Sequence, residues 1–333
     1  MRISAYFSVC SLCLFVFVGI IEFVHPLPQS LPGPDPNFNC TRPYNYFHEK
    51  HALLTGGSYG MGRAATEAMA DAGIKVFVLD KRAAPYAHSG VTFFEVDIRD
   101  DKEVDKALQK IRKKSGVIDY YIMNAGEGLT ALTQDATHKE MLDFIDNNAI
   151  AHFALFSKLR SFMPRSNDSR VIATSSIGNE LSFPYITSGL YGLTKDMLLH
   201  FLRDINVEYF GQFQVSAIRP DGVNTSYAKH TEHTQENTCP QQVKLMDEYQ
   251  VDALAVSTTQ PTMYGELVMQ ILCMDKPHGV YTMATTLDES FITAIHNYYC
   301  GDIADYTAFA RALTANQIFD PETQCKPNEQ AFF

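Results

Sequence analysis

Short apolar runs bounded by glycine or charge alternate along this chain with longer stretches of helical periodicity. The apolar runs predict strands at His51–Thr55, Lys75–Leu79, Thr92–Val96, Asp119–Met123, Arg170–Thr174, Gln214–Pro220 and Gly279–Met283. Helical patterns fall between them at Arg63–Ala72, Lys102–Lys114, His138–Met163, Tyr191 through Leu202, and Thr262–Met274. Strands that alternate with helices in this way predict an α/β fold built on a doubly wound parallel sheet.

Two regions stand outside that rhythm. Ile3–Ile21 is almost continuously apolar and about long enough to span a bilayer. The run ends in Glu22-Phe23-Val24-His25-Pro26 without a small-residue cleavage pattern, so residues 1–25 are expected to be an uncleaved membrane anchor, with a cleaved signal peptide as the rival. Residues 26–47 read as a proline-rich linker, with six prolines between Pro26 and Pro43. The main domain is expected over 48–284, with the polar stretch 226–256 as a substrate lid or a surface insertion, and 285–333 as a C-terminal extension.

A net charge of −11 argues against a nucleic-acid partner, and the cluster Lys110, Arg112, Lys113, Lys114 reads as dipole compensation at a helix end. Five cysteines follow the apolar run, and buried free thiols are the expectation, with Cys40–Cys325 or Cys239–Cys300 bridges as the alternative in a lumen. Acceptor triplets for N-glycosylation occur at Asn39-Cys40-Thr41, Asn167-Asp168-Ser169 and Asn224-Thr225-Ser226. No metal site is expected. His230 and His233 flank Glu232 in the polar stretch, where no regular element is expected to hold them as ligands.

The first strand runs straight into Gly56-Gly57-Ser58-Tyr59-Gly60-Met61-Gly62 and then into a helix. A strand, a glycine-rich turn and a helix bring a pyrophosphate close to backbone N–H groups at the helix N-terminus. Asp80, at the end of the second strand, is placed to accept from an adenosine ribose and to repel a 2′-phosphate, which favours NAD over NADP. Lys81 and Arg82 follow it and soften that preference. Asp97 ends the third strand, where it borders an adenine or caps a turn.

Tyr191 and Lys195 lie four residues apart on one helix face. A lysine beside a tyrosine favours the phenolate and prepares it for acid/base work. An asparagine inside a helix, here Asn147 and Asn148, needs a compensating partner.

Together these residues resemble the short-chain dehydrogenase/reductase family over roughly His51–Ala284, in Thr55-Gly56-Gly57-Ser58-Tyr59-Gly60-Met61-Gly62, Asp97, Asn124-Ala125-Gly126, Asn148, Ser175-Ser176, Tyr191-x3-Lys195 and Pro220 through Thr225. The resemblance implies a Rossmann-like domain that binds NAD(P). It implies Tyr191 as the general acid/base, Lys195 as the group that lowers its pKa and holds the nicotinamide ribose, and Asn148 as the holder of a relay water. Ser176, with Ser175 as its rival, would hydrogen-bond the substrate oxygen. Thr55, Gly56, Ser58, Tyr59, Gly60, Met61, Gly62, Asp80, Asp97, Asn124, Ala125, Gly126, Tyr191, Lys195, Pro220, Val223 and Thr225 would line the cofactor.

The serine-to-tyrosine spacing is longer than usual in the family, and Asp221 replaces a usual glycine. Pro220-Asp221 together with the N-terminal apolar run resembles the membrane-bound 3-ketodihydrosphingosine reductase branch. The expected function is therefore an NAD(P)-dependent oxidoreductase acting on a secondary alcohol or ketone of an apolar substrate of lipid, sterol or retinoid type. The expected setting is a membrane of the secretory pathway such as the endoplasmic reticulum, or outside the cell if the N-terminus is cleaved. Family members are often homo-oligomers. A catalytically silent dinucleotide-binding sensor or scaffold is the alternative.

Overall fold

The computed structural model describes residues 34–43, 45–130, 136–177, 189–209, 212–225, 232–233 and 259–283. The expected anchor, the lid apart from 232–233, and the C-terminal extension lie outside them, and no helix among the described residues is long and apolar enough to cross a membrane.

In chain order the elements are β1 (His51–Thr55), α1 (Gly60–Asp71), β2 (Lys75–Asp80), β3 (Val91–Glu95), α2 (Asp101–Ser115), β4 (Tyr120–Met123), β5 (Leu129–Thr130), α3 (His138–Ile145), a π-helical turn (Asp146–Ile150), α4 (Ala151–Leu159), β6 (Arg170–Thr174), α5 (Gly189–Glu208), β7 (Gln214–Pro220), β8 (Glu232–His233), α6 (Pro261–Cys273) and β9 (Val280–Met283). Seven strands form one sheet in the order β3-β2-β1-β4-β6-β7-β9, and every pairing in it is parallel. The doubly wound reading is thus the observed fold.

Alternation along the strands sends successive side chains to opposite faces. Leu53, Phe77, Leu79, Tyr121, Met123, Val171 and Ala173 pack on one side with residues of α2, α4 and α5. Ala52, Leu54, Val76, Val78, Ile122, Ile172 and Ile218 pack on the other with α1 and α6. Burial on both faces is why the central positions of β1, β2, β4 and β6 are apolar without a break instead of at every second residue.

Helix ends follow their local chemistry. Asp100 caps α2 by accepting from the N–H groups of Lys102 and Glu103, and Arg112, Lys113 and Lys114 occupy its last turn as expected. Thr137 and Glu140 form a reciprocal capping box on α3.

Three expectations are corrected. Cys40 is not a free thiol, nor is it bridged to Cys325; it is disulfide-bonded to Cys273 at the end of α6, 233 residues away. The bridge forms because residues 34–43 run back over the start of the sheet. There Asp35 and Gln270 exchange two hydrogen bonds, at 3.1 and 2.9 Å, and Arg42 donates to the Cys273 carbonyl at 3.2 Å. The helix expected over His138–Met163 is divided by the π-helical turn at Asp146–Ile150, which widens the coil around the two asparagines. Finally, Glu232–His233 lie in a two-residue strand paired with Leu129–Thr130, where no regular element was expected.

Candidate active site at the C-terminal ends of the strands

The turn after β1 is shaped by glycine. Gly56 has φ +72°, and a Cβ on Gly62 would stand 2.0 Å from the Gly56 carbonyl oxygen, so that position accepts no side chain. Tyr59 is the N-cap of α1 and makes no side-chain cap bond, unlike the caps of α2 and α3. The first N–H groups of α1 therefore face the turn with no side-chain cap, which is the arrangement an anion requires. A dinucleotide pyrophosphate fits this cradle, because both the missing Cβ atoms and the absent cap leave backbone N–H groups within its reach.

Asp80 borders the same turn. Its carboxylate is nearly buried and accepts from the N–H of Ser58 and of Arg82, both at 3.0 Å. Of the two basic residues after it, Lys81 pairs with Glu127, while Arg82 stays beside Asp80, with its Nε 4.0 Å from the carboxylate and its guanidinium 4.7 Å from the centre of the Tyr59 ring. Asp97 is forked by Arg99, whose Nε and Nη2 donate at 3.0 and 2.6 Å and hold the carboxyl below its ordinary range. On the far side of the turn, the Thr225 methyl lies 3.4 Å from the position of a Cβ on Gly60, and Val223 beneath it is buried. The loop that begins at Pro220, the last residue of β7, thus packs on the glycine turn.

A hydrogen-bond network ties β1 to β4 and β6. The Thr55 hydroxyl accepts from the N–H groups of Asn124 and Ala125 at 3.0 and 3.1 Å. Asn124 donates through Nδ2 to the carbonyls of Thr55 and Gly56, at 3.2 and 3.0 Å. Its Oδ1 accepts from Thr174 at 3.3 Å, and Thr174 meets the buried Tyr264 hydroxyl at 2.6 Å. Thr174 and Tyr264 were not foreseen from the sequence. Only a strand-end threonine mirroring Thr55 hinted at the first, and nothing local at the second.

Lys195 sits on α5 with 4% of its surface exposed. Its ammonium donates to the Thr174 carbonyl at 3.0 Å and lies 5.6 Å from the centre of the Tyr191 ring. Burial lowers its pKa to about 8. Beside it, a Cβ on Gly126 would stand 3.3 Å from Lys195 Nζ and 3.5 Å from Asn148 Oδ1, so a small residue there lets loop, lysine and asparagine converge.

Asn148 lies in the π turn. Its side chain clasps the Glu127 backbone, accepting from the N–H and donating to the carbonyl, both at 2.9 Å. That clasp is the compensation a helical asparagine requires. Asn147 adds a bond to Asn148 Oδ1 at 3.1 Å. Thr194, also unforeseen, accepts a 3.5 Å bond from Asn148 and donates to the Tyr191 carbonyl at 2.8 Å.

His152, expected as a satisfied packing residue, is fully buried beneath this loop. Its Nε2 is 2.9 Å from the Ala125 carbonyl, which can only accept, so that nitrogen carries the proton. Burial pushes its pKa down to about 4.

The two serines separate by burial. Ser175 is buried, with its hydroxyl donating to the Lys195 carbonyl at 3.2 Å, while Ser176 is half-buried. Gly178, the other reference point for this pair, lies outside the described residues.

A glycine cradle at a helix N-terminus, a strand-end carboxylate and a buried lysine beside a tyrosine meet at one end of the sheet, an arrangement suited to a dinucleotide. The family model described as short chain dehydrogenase matches residues 50–236, more than half of the chain. The chain belongs to the short-chain dehydrogenase family.

Among relatives, dehydrogenase RED2 of Cochliobolus heterostrophus is 26% identical over 170 residues, covering 50% of this chain and 63% of the relative. The 3-oxoacyl-(acyl-carrier-protein) reductase FabG of Escherichia coli is 26% identical over 163 residues, covering 45% and 67%. The 3-ketodihydrosphingosine reductase of Bacteroides thetaiotaomicron is 24% identical over 177 residues, covering 53% and 64%. The matched stretch thus spans about two thirds or slightly less of these relatives' own length.

Two solved structures share the fold. A short-chain dehydrogenase from Streptomyces avermitilis has a TM-score of 0.63 at 20% identity, covering 81% of this chain and 98% of that one. The 3-ketoacyl-(acyl-carrier-protein) reductase from Brucella melitensis complexed with NADH has a TM-score of 0.57 at 19% identity, covering 70% and 95%.

Proposed function

We propose that this chain interconverts a secondary alcohol and a ketone on an apolar, lipid-like substrate, with Tyr191 as general acid/base and NAD as the favoured cofactor. The observation that carries the reading is the buried Lys195 ammonium, 3.0 Å from a carbonyl and 5.6 Å from the centre of the Tyr191 ring. A cation in that position favours the phenolate, so that Tyr191 can exchange a proton with a substrate oxygen near neutral pH.

When bound, the nicotinamide cofactor supplies or accepts the hydride. The residues of the chain do the rest. The glycine turn and α1 hold the pyrophosphate, Asp80 takes the adenosine ribose, and Lys195 holds the nicotinamide ribose. Ser176 donates to the substrate oxygen; it is half-buried where Ser175 is buried, which supports this choice. Asn148, whose side chain is taken up by Glu127, Asn147 and Thr194, would meet a relay water behind Lys195 through its backbone.

The strand-end carboxylate of Asp80 beside the glycine turn supports NAD, because it would repel a 2′-phosphate. Relatives named for 3-oxo and 3-keto substrates support the ketone, and the apolar run at Ile3–Ile21 supports a substrate taken from a membrane.

The test is oxidation of NADH and NADPH by the full chain in detergent with a panel of long-chain ketones, alongside Tyr191→Phe. The expected result is NADH-dependent turnover that falls by roughly 10²-fold or more in the variant. NADH binding without turnover in either protein would replace this reading with that of a catalytically silent nucleotide-binding protein.

A further inference from the structure

We infer that this chain is an N-linked glycoprotein of an oxidising secretory compartment, modified at Asn39 and Asn167 on the pole opposite the cofactor turn. The inference is independent of the substrate and of turnover.

Three observations converge on that pole. Asn39-Cys40-Thr41 and Asn167-Asp168-Ser169 are both acceptor triplets, and Asn39 and Asn167 are exposed. They are also neighbours: Arg42, three residues after Asn39, pairs with Asp168 at 3.2 Å and with Asp275 at 2.9 Å. Third, the residue between Asn39 and Thr41 is Cys40, bridged to Cys273. A disulfide persists where the compartment is oxidising and is rare in the cytosol. The compartment that forms the bridge is also the one that modifies the triplets, and an apolar N-terminal run at Ile3–Ile21 is the chemistry that directs a chain there.

Position favours these two sites over the third. Asn167 lies just before β6, and Cys273 closes α6 ahead of β9, so the pole is at the N-terminal ends of parallel strands. The glycine turn and Lys195 lie at the opposite ends. Asn224 is exposed but adjoins Thr225, which packs on Gly60, so a glycan there would crowd the cofactor turn.

In the transfer, Asn39 Nδ2 attacks the anomeric carbon of a lipid-pyrophosphate-linked oligosaccharide. The C–N bond forms as the carbon–oxygen bond breaks, the lipid pyrophosphate leaves with the electron pair, and the amide releases one proton. The disulfide forms separately, as two thiols pass two electrons and two protons to a protein disulfide of the compartment, which becomes a dithiol. The 233-residue separation orders the events, because Asn39 emerges from synthesis well before Cys273.

The experiment expresses the full chain in a eukaryotic host and treats the denatured protein with an amidase specific for N-linked glycans. Denaturation removes any dependence on whether a variant folds. The expected result is a mobility gain for the parent, one step fewer in Asn39→Gln and in Asn167→Gln, and none in the double variant. Cys40→Ser preserves the triplet as Asn-Ser-Thr and is expected to retain its glycan. In the parent, Cys40 and Cys273 are expected to resist alkylation until reduced. No response to the amidase, a response that survives in the double variant, or full alkylation of both cysteines without reduction would overturn the inference.

Discussion

The Lys195 ammonium donates a 3.0 Å hydrogen bond to the Thr174 carbonyl, which joins α5 to the end of β6 within the candidate site. One carbonyl does not restore the hydration that burial removes, and the lysine pKa falls to about 8. The folded protein therefore binds the lysine proton less tightly than the unfolded chain does. Between about pH 8 and the ordinary lysine value the unfolded chain holds more protons, so stability rises with pH across that window. In Lys195→Met the rise attributable to this group is expected to vanish. Urea unfolding of both proteins at pH 7, 8.5 and 10 should show the parent gaining on the variant by on the order of 3 kcal/mol. Turnover of the variant should be lost at every pH.

His152 has the opposite pH range. Its pKa is pushed down to about 4 by burial, so it is neutral in the folded protein while the unfolded chain takes up a proton as pH falls through the ordinary histidine range. Stability is thus lost progressively from about pH 6.5 to pH 4. His152→Gln, which keeps a donor toward the Ala125 carbonyl, is expected to flatten that acid limb by up to about 3 kcal/mol in urea titrations. An equally steep limb in the variant would assign it to other groups.

The strands were legible because they are buried on both faces, and Gln214–Pro220 was placed to the residue. The positions of the glycine turn, of Asp80 at the end of β2 and of Lys195 beside Tyr191 were legible for another reason: each depends on spacing within one or two elements. The Cys40–Cys273 pairing was not legible, since it depends on how residues 34–43 run back across the sheet. Nor was the π turn. Asn147 and Asn148 signalled a misfit in a helix, but the sequence could not say that the coil itself would widen. Tyr264 and His152 are the buried partners of site residues, and their contacts cross 90 and 27 residues of chain.

Asp80 holds the turn together and, under the proposed function, also sets the choice of cofactor. Its carboxylate accepts the Ser58 and Arg82 N–H groups at 3.0 Å, so removing it leaves the Ser58 donor buried and unsatisfied. Asp80→Ala is expected to cost about 1–3 kcal/mol in urea unfolding. It should also weaken NADH binding while NADPH binding holds or improves, because the charge that repels a 2′-phosphate is gone. Titration of both cofactors against parent and variant by fluorescence reads the two effects apart. An unchanged NADH:NADPH ratio would show that Asp80 serves only the turn.

The Cys40–Cys273 bridge lies at the N-terminal ends of the strands, across the sheet from the glycine turn and Lys195, so its loss should separate stability from chemistry. Closing a 233-residue loop restricts the unfolded chain, which in the chain-entropy account is worth about 5 kcal/mol, against about 2–4 kcal/mol for a typical bridge. Cys40→Ser and Cys273→Ser are each expected to lower the unfolding free energy read from urea titrations by about 2–5 kcal/mol. The double variant should lose no more than either single one, because a single bond is removed in every case. Arg42 still joins its segment to Asp168 and Asp275, so the native arrangement remains defined without the bridge. Below the unfolding transition, NADH binding by all three variants should match the parent. A variant that kept its stability but lost cofactor affinity would instead place the bridge in the coupling between that pole and the site.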